Sequence, residues 1–241
     1  MSTLEQHLNR QAERSRNFFW NRIRWDLVCS LLPSAGEAEL VDVGAGTGFL
    51  GDLLSVRRPE IGYRYIEPIA GLEAGLAERF GTEANLRESD SFGRARWVTL
   101  LDVLEHQEED RAFMAQLAAK MGSGSLLILT VPAMPSLWSG WDTALGHFRR
   151  YRKASLLAAL PAGQFEVVEL SYLFPELLPA GWVRRLRRSD DVTEADALDA
   201  EFPDLPGWLN GSLYRLGTAT TRARRLWPAG TSLLAVLRRA G

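Results

Sequence analysis

Three glycines and two acids in the first third of the chain have the types and spacing of a nucleoside-binding site. Gly44, Gly46 and Gly48 alternate with small residues directly after an apolar run. Because glycine has no side chain, a ligand can lie directly on the backbone of such a loop. Asp42 precedes the loop, and Glu67 lies 25 residues further on. An acid at that point can accept hydrogen bonds from both hydroxyls of a ribose, so this region predicts a nucleoside held at the end of a parallel strand.

The form of this loop resembles motif I of class I (Rossmann-like) S-adenosylmethionine-dependent methyltransferases. The family pattern is apolar-Asp/Glu-apolar-Gly-x-Gly-x-Gly, and the chain reads Val-Asp-Val-Gly-Ala-Gly-Thr-Gly over residues 41–48. The resemblance implies S-adenosyl-L-methionine as the cofactor and S-adenosyl-L-homocysteine as its product. It also implies acids near the ribose, the adenine and the methionine portion of the donor. The expected donor-binding residues are Asp42, Gly44, Ala45, Gly46, Gly48, Glu67, Pro68, Asp90, Ser91, Asp102 and Val103.

The competing interpretation of the loop is a dinucleotide site with the pattern G-x-G-x-x-G. Counted from the end of the strand, that pattern needs a third glycine where the chain has Phe49. A match two residues later, through Gly46, Gly48 and Gly51, leaves Gly44 between the strand and the motif. The ribose-binding acid suits either cofactor, so it supports a nucleoside without identifying it.

The segment from Asp102 to His106 follows another apolar run and is closely similar to the stretch after the fourth strand of many of these methyltransferases. A carboxylate at Asp102 suits the neighbourhood of a sulfonium cation. Ubiquinone-pathway O-methyltransferases also resemble this stretch, and they imply an alternative in which Asp102, Glu105 and His106 hold a divalent metal. We predict no metal, and we interpret Glu105 and His106 as capping the next helix and lining the floor of the pocket.

The run Asp-x-x-x-Gly-His-x-Arg-Arg-Tyr, residues 142–151, is dense in groups that could handle a methyl acceptor. It looks like a subfamily of bacterial methyltransferases. His147 is the candidate general base, because a histidine can take a proton near neutral pH. Arginines can clamp a carboxylate or phosphate, and aromatic rings offer flat apolar walls. The expected acceptor-binding residues are His106, Trp138, Trp141, Arg149, Arg150 and Tyr151.

Alternating apolar runs and amphipathic segments predict an α/β fold with a doubly wound, mostly parallel sheet of seven strands, the last antiparallel. A long helical insertion precedes the last strand. The predicted strands cover residues 40–43, 61–66, 84–88, 96–101, 125–131, 165–173 and 232–237.

We predict one methyltransferase domain over residues 1–241. Its parts are an N-terminal helical lid (1–36), a Rossmann-like core (37–172 and 229–241) and a helical cap (173–228). Packing of the N-terminal helix on the sheet is the alternative to a lid. Residues 173–188 are apolar and then arginine-rich, which is typical of an interfacial helix. Peripheral membrane contact through this stretch is therefore one interpretation, and a hydrophobic acceptor wall is the other.

Composition narrows the class of protein. The net charge of −2 and the pI near 6.0 give no electrostatic basis for nucleic-acid binding, and a single cysteine makes no disulfide framework. The polar N-terminus and the lack of an 18-residue apolar run predict a cytoplasmic protein. The predicted reaction is methyl transfer to an oxygen or nitrogen of a small or lipid-like acceptor. The alternatives are a non-catalytic nucleoside-binding module of the same fold and an NAD-dependent oxidoreductase; the oligomeric state stays open.

Overall fold

A single six-stranded sheet organises the part of the chain that the computed structural model describes, which comprises residues 16–32, 38–87, 89–186 and 205–241. The strands are β1 (Ala38–Val43), β2 (Ile61–Ile66), β3 (Trp97–Leu101), β4 (Leu126–Pro132), β5 (Phe165–Leu173) and β6 (Ser232–Arg239). The helices are α1 (Phe19–Leu31), α2 (Phe49–Arg57), α3 (Ala70–Phe80), α4 (Asp110–Lys120), α5 (Gly140–Ala144), α6 (Lys153–Ala159), α7 (Leu178–Leu186) and α8 (Gly207–Arg222).

The order of the strands is β2-β1-β3-β4-β6-β5, with β1, β2, β3 and β4 parallel to one another. The last strand, β6, lies antiparallel between β4 and β5. The carboxyl ends of β1 to β4 therefore meet at one edge of the sheet, with β1 and β3 as neighbours at its centre. The predicted α/β class and the antiparallel last strand are confirmed.

Both faces of the sheet are covered by helices, which explains the near-continuous apolar runs of the central strands. Along β4 the side chains from Leu127 to Val131 are all buried. One face packs against α4, through residues such as Met114. The other face packs against α1, through residues such as Phe19 and Ile23. The site-bearing loops are thus carried by a rigid, fully packed scaffold.

The prediction of seven strands is not confirmed, because the described residues form six. The predicted third strand, 84–88, is reduced to a single bridge between Asn85 and Tyr65 at the β2 edge. A short 3-10 turn, Thr82–Ala84, occupies the approach to it. Only Ala84 and Leu86 of this stretch are buried, so little apolar surface remains to extend the pairing; residue 88 itself lies outside the described residues.

The connection between β5 and β6 carries α7 and α8, and α8 packs on α1. The hydroxyl of Tyr214 on α8 donates a hydrogen bond of 2.6 Å to Asp26 on α1. Asn210 accepts one of 3.0 Å from the backbone N–H of Phe19. Helix α8 of the insertion therefore packs directly on α1. Residues 1–15 of the predicted N-terminal lid and residues 187–204 of the predicted cap lie outside the described residues.

None of the helices in the described ranges has the length and apolar character that a bilayer crossing requires.

Candidate active site

The glycine loop lies at the carboxyl edge of β1 and has the backbone geometry that only glycine adopts readily. Gly44 and Gly46 have φ values of +74° and +58°, in the left-handed region. The backbone N–H of Gly44 donates a hydrogen bond of 2.8 Å to the carbonyl of Ile66 at the end of β2. A Cβ atom at Gly44 would lie 2.5 Å from Val103, whereas one at Gly46 would meet nothing within 4 Å. The loop is thus tightly supported from behind and open in front.

Glu67 connects the end of β2 to this loop. Its carboxylate accepts hydrogen bonds from the backbone N–H groups of Gly46, at 2.7 Å, and Ile69, at 2.9 Å. The side chain is buried, and burial raises the pKa of its carboxyl, with the two backbone bonds acting in the opposite direction. Each carboxylate oxygen keeps further acceptor capacity, so Glu67 can hold the loop and accept from a ligand at once.

Asp42 supports the loop from beneath. Its two carboxylate oxygens accept hydrogen bonds from Thr99 on β3, at 2.6 Å, and from Tyr63 on β2, at 3.1 Å. The side chain is only 4% exposed. Burial raises the pKa of Asp42 to about 6, although both hydrogen bonds lower it. Asp42 therefore joins three adjacent strands at the point where the loop begins.

A cavity of about 770 Å³ extends from the glycine loop to the segment 139–150. Its volume lies within the range of small-molecule and cofactor sites. Helix α1 and the residue before it form one wall with aromatic side chains, and α7, α8 and the turns near them contribute aliphatic ones. These apolar lining residues include Phe18, Phe19, Trp20, Trp25, Leu137, Leu177, Ala180, Leu205 and Leu213.

Asp102 stands between the two ends of the cavity. It follows β3 with a φ of +54°, an uncommon value for a residue with a side chain. Its carboxylate forms an ion pair with Arg24 of α1, and Thr130 donates a hydrogen bond of 3.2 Å to it. The guanidinium of Arg24 also lies 4.2 Å from the ring centroid of Trp20. The N-terminal helix is thereby tied to the centre of the cavity.

His147 lines the far end of the cavity and is oriented by a buried acid. Its Nδ1 lies 3.2 Å from Asp142, which is fully buried. Asp142 also accepts a hydrogen bond of 2.6 Å from Arg150. Burial raises the pKa of Asp142, but the bonds from His147 and Arg150 outweigh it and hold this pKa below its usual value. The ring centroids of His106 and His147 lie 4.7 Å apart, and the two rings meet edge to face.

Glu105 is buried beside these two histidines, with 1% of its surface exposed. Neither of its carboxyl oxygens has a hydrogen-bond partner among the described residues. Burial, followed by the nearby negative charge of Asp102, raises the pKa of Glu105 well above its usual value. Because buried carboxyls are normally paired, an unpartnered one at a cavity wall calls for an explanation.

The cavity brings together most of the predicted donor-side residues and about half of the acceptor-side ones. Gly48 begins α2, where an added Cβ would meet side chains of α3 rather than the cavity. Asp90 and Ser91 bond to backbone groups nearby, and they lie outside the lining. The predicted residues within the lining are Asp42, Gly44, Ala45, Gly46, Glu67, Pro68, Asp102, Val103, His106, Trp141, His147 and Arg150.

Three predicted acceptor-side residues, Trp138, Arg149 and Tyr151, lie outside the lining. Tyr151 is buried, and its hydroxyl donates a hydrogen bond of 2.9 Å to Asp110. Arg149 pairs with the same carboxylate at 2.9 Å. Arg149 and Tyr151 therefore attach the loop to α4.

The alternative metal set Asp102, Glu105 and His106 does not converge in the described structure. Asp102 is committed to Arg24 and Thr130. The His, Asp and Glu side chains that do converge are instead Glu105, His106 and His147. The metal implied by the ubiquinone-pathway resemblance therefore does not fit the residues that it names.

Sequence reasoning missed the residues that support the site from other elements. Arg24 reads as one of many arginines on an amphipathic helix, and nothing local marks it as the partner of Asp102. Tyr63 and Thr99 read as ordinary strand residues. The alternation of β2 does place Tyr63 and Tyr65 on one face, which is the only signal that could have suggested a polar contact there.

The methyltransferase domain family model matches residues 6–170 of the chain. No curated protein sequence matches the chain. A chain from the complex between the Haloferax volcanii Trm112 methyltransferase activator and a methyltransferase is similar, with a TM-score of 0.61 and 12% identity over 99% of this chain and 96% of that chain.

Two structures with bound donor or product are similar as well. Geranyl diphosphate C-methyltransferase from Streptomyces coelicolor, in complex with Mg²⁺, geranyl-S-thiolodiphosphate and S-adenosyl-L-homocysteine, has a TM-score of 0.60 and 13% identity over 91% of this chain and 76% of that chain. Phosphoethanolamine N-methyltransferase 2 from Haemonchus contortus, in complex with S-adenosyl-L-methionine, has a TM-score of 0.59 and 12% identity over 92% of this chain and 53% of that chain.

At these identities the solved structures establish the fold, and the family match establishes the membership. The loop, the ribose-side acid and the cavity agree with that family's need to hold a nucleoside and a sulfonium. The chain belongs to the methyltransferase domain family, and it is an enzyme that uses S-adenosyl-L-methionine as its methyl donor.

Proposed function

We propose that the protein moves a methyl group from S-adenosyl-L-methionine to an oxygen or nitrogen of a small or lipid-like acceptor with an apolar body. The acceptor half of the cavity supports this proposal, because aromatic residues of α1 and aliphatic residues of α7 and α8 form its wall. Such a wall excludes water and buries apolar surface. The similar C- and N-methyltransferases named above act on small molecules by their names, which supports an acceptor of that size.

In the donor half, the donor would lie on the backbone of the glycine loop, and its ribose would bind Glu67. Gly46 leaves the space into which a ligand can approach the backbone. Asp102 would lie near the methionine portion, where its charge suits the sulfonium. The predicted roles of Asp90 at the adenine and of Ser91 beside it stay predictions, since neither residue lines the cavity.

His147 is the proposed general base, and its contact with Asp142 is the observation that carries this assignment. Since Nδ1 faces the buried carboxylate at 3.2 Å, Nε2 is the nitrogen left to accept a proton. A carboxylate behind a histidine fixes the ring and stabilises the imidazolium that forms. The acceptor's oxygen or nitrogen would lose its proton to Nε2 as it attacks the methyl carbon in line with the departing sulfur.

Arg150 and Arg24 line the cavity, but each is paired with a carboxylate, Asp142 or Asp102. Among the residues that the structure describes, the other ionisable side chains of the lining, apart from the two histidines, are the acids Asp42, Glu67, Asp102 and Glu105. This balance favours a cationic donor and an acceptor that is not a multiply charged anion.

We also propose that the N-terminal helix is a lid and the insertion a cap, because helices of both line the cavity. Helix α1 both packs on the sheet through Ile23 and lines the cavity through Trp20 and Arg24, so the two interpretations of this helix are compatible. Membrane contact through 173–188 stays a prediction. Its support is the exposure of Trp182 and Val183 on α7, which are 41% and 50% exposed.

The family match favours methyl transfer over a non-catalytic module and over NAD-dependent oxidation. The test is to incubate the protein with a radiolabelled methyl donor and extracts of its source cell, and then to identify the labelled product. A labelled apolar small molecule or lipid is the expected result. A labelled protein or nucleic acid would contradict the proposed acceptor class, and calorimetry with NAD against S-adenosyl-L-methionine tests the cofactor directly.

A further inference from the structure

Three side chains with metal-binding atoms converge at the wall of the acceptor half. They are Glu105 and His106, on the short turn after β3, and His147, on the loop after α5. One ligand atom from each lies within 4.8 Å of the other two. Glu105 is 1% exposed, and neither of its carboxyl oxygens has a hydrogen-bond partner among the described residues. The packing thus holds a buried carboxyl group against two imidazoles.

We propose that Glu105, His106 and His147 bind one divalent transition-metal cation, and that the bound ion blocks the proposed general base. The second half of this statement rests on the proposed function, and the first half does not. The set differs from the one that the ubiquinone-pathway resemblance implied, since His147 takes the place of Asp102.

The surroundings of His147 match those of a metal ligand. Its Nδ1 faces the fully buried Asp142 at 3.2 Å. Histidines that bind a metal through one nitrogen almost always donate the other N–H to a carboxylate or carbonyl, which fixes the ring and the tautomer. Asp142 is itself held by the backbone N–H of Ser139, at 3.0 Å, and by Arg150, at 2.6 Å. The imidazole is therefore oriented with Nε2 as the available ligand.

Two guanidinium groups act on Glu105, those of Arg24 and Arg150. Both would oppose a cation if they were unpaired. Arg24 is neutralised by Asp102, and Arg150 by Asp142. The charge that remains beside the histidines is that of Glu105, so the local field favours a cation once the carboxyl is ionised.

The ligand types select the class of ion. Two imidazoles and one carboxylate suit Zn²⁺, Co²⁺ or Mn²⁺, whereas Mg²⁺ prefers a set made of oxygens. Two ligand atoms bonded at about 2.1 Å to a tetrahedral ion lie about 3.4 Å apart. The ligand atoms of the three side chains lie within 4.8 Å of one another, so the side chains must move closer together to bind the ion. Water or an acceptor atom would complete the coordination from the cavity side.

The bound ion would affect the reaction because Nε2 of His147 is both the proposed base and a proposed metal ligand. The lone pair of Nε2 can take a proton from the acceptor or bind the ion, but it cannot do both. A cation at this site should therefore suppress methyl transfer, and its removal by a chelator should restore it.

The binding test uses the full chain, stripped of metal and saturated with S-adenosyl-L-homocysteine, titrated separately with Co²⁺, Zn²⁺ and Mg²⁺. We expect one equivalent of Co²⁺ with the visible absorption of a nitrogen- and oxygen-ligated ion, displacement by Zn²⁺, and much weaker uptake of Mg²⁺. No saturable Co²⁺ or Zn²⁺ uptake would overturn the site, and equal affinity for Mg²⁺ would overturn the assigned metal class.

Variants locate the ion. Glu105→Gln keeps the side-chain shape and removes the charge, and His106→Asn removes one imidazole. Each should weaken Zn²⁺ binding by about tenfold or more, with thermal melting to show that the variant is folded. The chain has three histidines, so His7→Gln replaces the one histidine that is not a proposed ligand and should bind as the parent does. Unchanged Zn²⁺ affinity in both cluster variants would overturn the proposal.

The activity test separates the two halves of the inference. Inhibition by Zn²⁺ that a chelator reverses supports both. If the metal-free protein is inactive and Zn²⁺ activates it, the ion site stands, and the blocking role and the base assignment of His147 are overturned. If no methyl transfer occurs under any condition, the proposed function fails while the Co²⁺ titration still decides whether the ion binds.

Discussion

The two ends of the cavity, a proposed donor half at the glycine loop and a proposed acceptor half around His147, differ in how they are built. The proposed donor half is made largely of backbone: a glycine loop in left-handed conformation, with its N–H groups bonded to the end of β2 and to Glu67. The acceptor half is made of side chains from separate elements, namely α1, the loop around His147, α7 and α8. A backbone site changes slowly with sequence, because few residues other than glycine fit it. A side-chain site can change its ligand while the fold stays the same. This agrees with the fold that the chain shares, at 12–13% identity, with two methyltransferases whose names give different acceptors.

Removal of the candidate base is the strongest way to separate the halves. His147→Ala should lower the turnover of metal-free enzyme by about 100- to 10,000-fold, because the proposed general base is removed. Affinity for S-adenosyl-L-methionine should stay nearly the same. Steady-state kinetics and calorimetry on the same preparation measure both, and a loss of donor binding would show that His147 belongs to the donor half.

The buried carboxyl of Asp42, beneath the glycine loop, predicts that the free energy of unfolding depends on pH. The pKa of Asp42 is about 6 in the folded protein, whereas its ordinary value is 3.8. Between these two pH values the folded state therefore holds a proton that the unfolded state has lost. The stability that this proton contributes is complete below about pH 3.8 and is lost as the pH rises through about 6.

Asp42→Asn removes this titration. The free energy of unfolding of the parent should fall relative to the variant by about 2–3 kcal/mol between pH 4 and pH 7. Urea unfolding at several pH values measures the difference. A difference that stays constant with pH would contradict the burial of Asp42 as an acid.

Glu67 tests whether the two backbone hydrogen bonds leave room for a ribose. Glu67→Ala should weaken donor binding by roughly ten- to a hundredfold, since a charge-assisted hydrogen-bond pair contributes about 1.5–3 kcal/mol. Glu67→Gln keeps one acceptor oxygen and should lose less. Calorimetry with S-adenosyl-L-homocysteine gives both values; equal affinity in the parent and both variants would mean that the residue only holds the loop.

A matched pair of glycines gives the smallest and cleanest effect. Gly46 and Gly163 both have a left-handed φ, +58° and +70°, and a Cβ at either would meet nothing within 4 Å. An alanine should therefore cost about 1–2 kcal/mol of backbone energy at both positions. Only Gly46→Ala adds an atom to the cavity, so it alone should weaken donor binding, by about tenfold. Equal donor affinity in the two variants would remove the loop from the ligand surface.

The sequence predicted a glycine loop directly after the first strand, and the structure has one there; the reason is local. The glycine spacing, the apolar run before it and the acid at the end of the next strand are properties of short segments. The left-handed backbone at Gly44 and Gly46 is a direct consequence of residue type. The prediction extended too far at the edge of the sheet, where the stretch around Asn85 has too little apolar surface to form a strand.

The acceptor half was predicted only in part, because its contacts join segments far apart in the chain. The sequence placed His147 and Arg150 in one motif, but it also included Arg149 and Tyr151, which the structure attaches to Asp110 instead. Nothing in the pattern distinguishes an arginine that lines a cavity from its neighbour that faces α4.

By itself, the sequence determined the class of fold, the glycine loop and the type of cofactor, since these follow from backbone preferences and from the period of apolar residues. The tertiary structure alone decided that Arg24 pairs with Asp102, and that Glu105 converges with His106 and His147. Such contacts depend on how the strands align and on which helix covers the edge of the sheet. Packing of the whole chain, and no local rule, fixes which side chains meet there.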